Sequence, residues 1–175
     1  MLGERRGLRI LLSGSSNEYE GEAPAETGHG VFVCQRNGNA YAGEYDGTRM
    51  HGVGVLRWGE GHTYRGQWRQ GRQDGYGVFY HANGDVHAGM YQEGRKEGYG
   101  VARSPNGPMY LGQFKRGQKD GSGVSLLVSG QRIFGLWKGD KEMSSVPYDA
   151  ANSRHATVLR RANEAEARRP CNVLA

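Results

Sequence analysis

A 23-residue period constrains this chain more tightly than any property of its composition. Aligned on Tyr64–Val86, YRGQWRQGRQDGYGVFYHANGDV, successive copies begin at Tyr41, Tyr64, His87, Tyr110 and Ile133, each 23 residues after the last. Two positions on, every copy carries glycine: Gly43, Gly66, Gly89, Gly112 and Gly135. Four positions on comes an aromatic: Tyr45, Trp68, Tyr91, Phe114 and Trp137. A G-x-G-V follows, with its glycines at Gly52 and Gly54, Gly75 and Gly77, Gly98 and Gly100, and Gly121 and Gly123. A last glycine closes each full unit, at Gly61, Gly84, Gly107 and Gly130. Such coincidence at one period marks an array of stacked units, none of which can bury its apolar face alone.

The unit reads as a β-hairpin. Tyrosine, glycine and aromatic alternate, so they share one face of a strand. Gly-x-Gly leaves two positions without side chains on a second strand, where a facing ring can lie over bare backbone and offset the weakness of glycine there. The polar segments RQGRQD, EGRKEG and KRGQKD are turns. The faces follow from alternation. One carries Tyr41, Tyr45, Tyr64, Trp68, Tyr91, Tyr110, Phe114 and Trp137, with Leu56, Trp58 and Phe79. The other is mixed: Arg57, Tyr76, Tyr80, Tyr99, Arg103 and Leu126, beside Arg65, Gln67 and Met90.

The pattern resembles the MORN (membrane occupation and recognition nexus) repeat, roughly YxGxWxxGxxHGxG, over about Tyr19 to Met143, and most closely at Tyr64–Gly77. The departures are local: His87 and Ile133 replace the leading tyrosine, and "HG" is kept only at His29–Gly30 and His51–Gly52. The resemblance implies an elongated single-layer antiparallel sheet of stacked hairpins. We expect ten to twelve strands, spaced about 4.8 Å apart over roughly 50 Å. Residues 1–18 read as an atypical half-repeat, 19–143 as the array, and 144–175 as a linker and C-terminal helix. Pro147 marks the linker, Asp149 or Ser153 is the expected helix cap, and Pro170 the stop after about Arg169. Val158, Leu159, Ala162 and Ala165 give that helix a thin apolar stripe, and three outcomes are open: folding back near Phe134 and Trp137 to cover the edge of the last strand, projecting toward a partner, or fraying in solvent.

Composition excludes more than it assigns. Only 36% of the chain is hydrophobic, which suits a sheet without a thick core, and no 18-residue apolar run is present. Cys34 and Cys171 form no C-x-x-C, as expected of a reduced intracellular protein. The net charge of +5 divides into +1 before the array, +2 within it and +2 after it. That near balance gives no support to nucleic-acid binding and little to binding of anionic membranes. No glycine cluster is followed by G-K-S/T, the six histidines lack metal spacing, and no nucleophile–base set comes together. No enzymatic activity, cofactor or metal is therefore expected.

These readings favour an interaction protein. The candidates for partner contact are Arg57, Tyr76, Tyr80, Tyr99 and Arg103 on the mixed face, because tyrosine beside arginine suits interfaces. Arg154, Val158, Leu159, Arg160 and Arg161 in the tail join them. The structural set is Tyr41, Gly43, Tyr45, Tyr64, Gly66, Trp68, Gly75, Gly77, Gly98, Gly100, Tyr110, Gly112, Phe114 and Trp137. Resemblance to MORN proteins implies a scaffold or adaptor in a larger cytoskeletal assembly, such as a ciliary or flagellar axoneme with its radial spokes. It leaves homodimerisation open. A second expectation from the resemblance is a peripheral tether binding acidic phospholipids. A third is a targeting module acting with an enzyme on another chain. Charge balance ranks the scaffold first and predicts weak, salt-sensitive lipid binding.

Overall fold

In the computed structural model, residues 8–11, 17–21, 27–34 and 37–168 are described. They form one antiparallel sheet of 13 strands, ordered β1 to β13 as in the chain, with each strand paired to the next. Before the regular repeats come β1 (Leu8–Leu11), β2 (Asn17–Gly21) and β3 (Thr27–Cys34). The repeats supply β4 (Asn39–Asp46), β5 (Arg49–Arg57), β6 (Thr63–Arg69), β7 (Arg72–Tyr80), β8 (Val86–Gln92) and β9 (Arg95–Arg103). The array ends with β10 (Met109–Lys115), β11 (Gln118–Leu126), β12 (Arg132–Lys138) and β13 (Lys141–Pro147). One helix, α1 (Ser153–Ala167), follows.

The hairpin turns show why the repeat keeps a glycine there. Gln70 and Gly71 between β6 and β7 have φ of 53° and 79°, and Glu93 and Gly94 between β8 and β9 have 48° and 81°. Two successive left-handed residues make the tight turn whose twist matches the flanking strands.

Rings close one face without a second layer. Tyr41, Tyr64 and Tyr110 lie over Gly54, Gly77 and Gly123 of the paired strand, so a Cβ at Gly77 would collide with the Tyr64 ring and hydroxyl. Each hydroxyl then donates to the carbonyl three residues on: Tyr41 to Glu44 at 2.9 Å, Tyr64 to Gln67 and Tyr110 to Gln113 at 3.1 Å. A register shift at this point frees those carbonyls from the ladder. The bulged side chain completes the motif, with Gln67 accepting the Tyr76 N–H at 2.7 Å and Gln113 the Ser122 N–H at 2.8 Å.

The rings also meet each other edge to face. Contacts run without a break from Tyr45 through Tyr41, Trp68, Tyr64, Tyr91, His87, Phe114 and Tyr110 to Trp137, with centroids 4.6–5.5 Å apart. Each such contact contributes about 0.5–1.5 kcal/mol beyond the area it buries. Tyr41, Tyr64, Tyr91 and Tyr110 are consequently buried in a single-layer sheet.

Three expectations need correction. The sheet has 13 strands rather than ten to twelve, because the segment expected to be a linker is the second half of β13. Proline is tolerated there because β13 is an edge: the Tyr148 N–H turns inward to the Arg132 carbonyl, so position 147 faces outward, where a missing N–H breaks no ladder bond. The helix cap is neither Asp149 nor Ser153 but Asn152, whose side chain accepts from the N–H groups of Arg154 and His155. Asp149 instead accepts the Ala151 N–H in the preceding turn.

Candidate functional site

On the face away from the rings, the register aligns one row of residues across eleven strands. Successive partners are Val31, Ala42, Val55, Arg65, Val78 and Ala88 from β3 to β8. Val101, Leu111, Val124, Phe134 and Val146 continue it to β13. Two repeat positions build it: the valine of each G-x-G-V, and the residue after each leading tyrosine. Every member but Arg65 is apolar.

Helix α1 lies along the far half of this row and crosses the strands. His155, Val158, Ala162 and Ala165 are its buried residues, spaced by three and four so that they share one side. Val158 packs with Val124 and Phe134, and Ala162 with Val101 and Leu111, while Leu159 touches both clusters. At the N-terminal end the His155 ring stacks on Phe134, with centroids 3.9 Å apart. At the other end Arg168 donates to the Tyr76 hydroxyl at 2.8 Å. The helix thus reaches from β12 to β7. It covers the sheet face and leaves the β13 edge open, so of the two expected contacts Phe134 is met, while Trp137 stays on the ring face beneath Lys119.

This placement decides what becomes of the candidate residues. Tyr99 lies under Arg161, whose guanidinium is 5.5 Å from the ring centroid, and Arg103 pairs with Glu166. Arg154 donates to Ser122 Oγ at 3.2 Å and lies over Phe134. Val158 and Leu159 are packed on the sheet, and Tyr76 is engaged by Arg168. Seven candidates, Arg161 among them, are therefore joined to one another or to neighbours within the chain. Arg160 is exposed and pairs with Glu164 on its own helix at 2.7 Å. Arg57 and Tyr80 remain on open surface beside the uncovered half of the row. Sequence reasoning missed His155, Glu166 and Arg168 as contacts, and Leu111 as a seat.

The turn edge is a ladder of local charge contacts. Arg69 pairs with Asp74 at 2.9 Å and Lys138 with Asp120 at 3.2 Å. Acids at one turn also accept backbone N–H groups of a neighbouring hairpin: Glu97 from Arg116 of the following one at 3.0 Å, and Asp140 from Lys119 of the preceding one at 2.8 Å. Lys96 and Lys119 lie over rings of the opposite face, and burial lowers the pKa of both.

One repeat departs from its neighbours on the ring face. His87 takes the tyrosine slot and is buried, its Nδ1 2.8 Å from the Tyr91 hydroxyl and its Nε2 without a partner. Burial, with help from Lys96 and then His81, holds this imidazole well below its ordinary pKa, so it is neutral. Among the described residues no group of His, Cys, Asp and Glu is placed to hold a metal ion, and no helix is long and apolar enough to cross a membrane.

The MORN repeat family model matches four consecutive segments, 41–63, 64–86, 87–109 and 110–132. No curated protein matches the chain. Among solved structures the chain is similar to the SAS-4 (dCPAP) TCP domain of Drosophila melanogaster, solved in complex with a proline-rich motif of Ana2 (dSTIL). That likeness has 14% sequence identity and a TM-score of 0.48, and covers 75% of this chain and 72% of the other.

Proposed function

Since the chain belongs to the MORN repeat family, generally a non-enzymatic one, we propose that it is a scaffold that binds other proteins within a cytoskeletal assembly. The observation that carries this reading is the half-covered row. The molecule closes its ring face by itself and seats α1 on part of the other, and an apolar strip flanked by arginine and tyrosine stays open. A ciliary or flagellar axoneme is the setting that resemblance to MORN proteins favours, with the protein inside the cell on the cytoskeleton. Homodimerisation through the open β13 edge is compatible with this role.

The test is affinity purification of the tagged full chain after cross-linking in ciliated cells, read by mass spectrometry, with imaging of the same tag. Reproducible axonemal partners and an axonemal signal are expected. Diffuse signal with no enriched protein would overturn the reading. Binding of acidic phospholipids is the alternative, and the interleaved acids of the turn edge weigh against it. Sedimentation with phosphatidylserine vesicles at about 0.15 M salt decides between the two, because tight binding there requires a basic excess that screening does not remove.

A further inference from the structure

The row that seats α1 continues past the helix to Val31, which is 42% exposed. Val55 and Val78 are the copies, two units earlier, of Val101 and Val124, which hold Ala162 and Val158. Val78 on β7, where the end of α1 arrives, is already buried, so the free part of the row runs from Arg65 to Val31 across three strand spacings, roughly 14 Å at about 4.8 Å each. A helix of about 10 residues at 1.5 Å per residue spans that length. We infer that this strip from β3 to β6 seats one further amphipathic helix, acidic along its flanks and supplied by a partner protein, placed end to end with α1.

Charge selects the occupant. Arg57 stands in the repeat slot of Arg103, the residue that pairs with Glu166 of α1. Arg65 stands in the slot of Leu111. Both are exposed, and neither has an ion pair or hydrogen bond among the described residues. Glu44 of β4 is engaged on the Val53 N–H at 2.8 Å. Two unpaired guanidinium groups beside an apolar row favour a helix that brings carboxylates. A second copy of α1 would instead bring Arg154, Arg160 and Arg161 against Glu164 and Glu166, so like charges oppose it.

This inference rests on the scaffold reading, and the experiment separates the two. The probe is a fluorescent, helix-stapled peptide with the sequence of residues 153–167 carrying Arg154→Glu, Arg160→Glu and Arg161→Glu, compared with the unaltered peptide. Anisotropy titrations use the full chain at about 0.15 M salt. The acidic peptide is expected to bind at least tenfold tighter, and an Arg57→Glu/Arg65→Glu double variant with unchanged melting is expected to reverse that order. A photo-cross-linker at the peptide's centre should label β4 to β6. Equal binding of the two peptides, indifference to the double variant, or labelling of β9 to β12 would each overturn the inference. Three results would also overturn it by naming another occupant. They are self-association lost in the double variant (a second copy), phosphatidylserine-vesicle binding lost in it (a membrane), and tenfold tighter peptide binding after truncation beyond Arg168 (the chain's own terminal segment). If proteins captured from cells are unaffected by the double variant, the scaffold reading stands and this seat falls.

Discussion

The ring-bearing face and the face opposite solve one problem in different ways. On the first, every repeat carries its own cover: a ring lies over the glycine of the paired strand and meets the ring of the next unit edge to face. On the second, the repeat provides only a row of valines and a variable residue, and a helix that occurs once covers half of it. Within that face the two halves differ in the residue after the leading tyrosine. It is Ala42 and Arg65 where the strip is open, and Ala88, Leu111 and Phe134 where α1 rests. A repeated sequence can close a surface with local contacts, but a single-copy element needs the repeats beneath it to diverge.

The largest effect that would break this comparison is expected on the ring face. Gly77→Val drives a branched side chain into the Tyr64 ring and should cost about 3 kcal/mol, the upper part of the usual range for overpacking. Val55→Ala on the open strip should cost less than about 1 kcal/mol, since it is only half-buried. Equal denaturant midpoints for the two variants would show that the faces are not closed differently.

Next comes the helix seat. Ala162 is fully buried, so Ala162→Glu should release α1, expose Leu111 and Phe134 and destabilise by about 2 kcal/mol. Hydrogen exchange should then accelerate in α1 while the β4 to β7 amides keep their protection. If protection fell equally throughout, the helix would be part of one indivisible core.

A smaller effect sharpens the view of the ring face. His87→Tyr should restore the hydroxyl bond that Tyr64 and Tyr110 make and stabilise by about 1 kcal/mol near neutral pH. The gain should grow on acidification. The folded chain holds His87 neutral while the unfolded chain takes up a proton near its ordinary value of 6.5, so stability falls as pH drops through that value. Thermal melts of both proteins from pH 7.5 to 5 measure the difference, and parallel pH profiles would contradict it. The smallest effect is expected for Arg103→Gln. Its ion pair with Glu166 leaves the arginine side chain 45% exposed, and screening limits the loss to below about 1 kcal/mol.

The array could be read from the sequence because its period repeats the same physical demand five times, and alternation alone separates Tyr64 from Arg65. The landing site of α1 could not. A stripe of Val158, Leu159 and alanines fits many surfaces, and the strands on the mixed face show period two whether or not something lies on them. A trace was present in the drift from Arg65 through Ala88 and Leu111 to Phe134, visible only when copies are compared with each other instead of with their consensus. The cap was ambiguous because Asp149, Asn152 and Ser153 all suit the role, and the exit from β13 selects among them. The thirteenth strand was hidden because proline is a breaker in a central strand and harmless on the outward side of an edge.

The row of cross-strand partners also behaves as a ruler. One 23-residue unit adds two strands, about 9.6 Å, and returns every side chain to the same face in the same phase. Gain or loss of a unit before β7 would change the length of the open strip in steps of that size while leaving the seat of α1 untouched. Reach along the sheet is therefore quantised and inherited separately from the contacts that anchor the helix, so lineages could tune span without rebuilding the end.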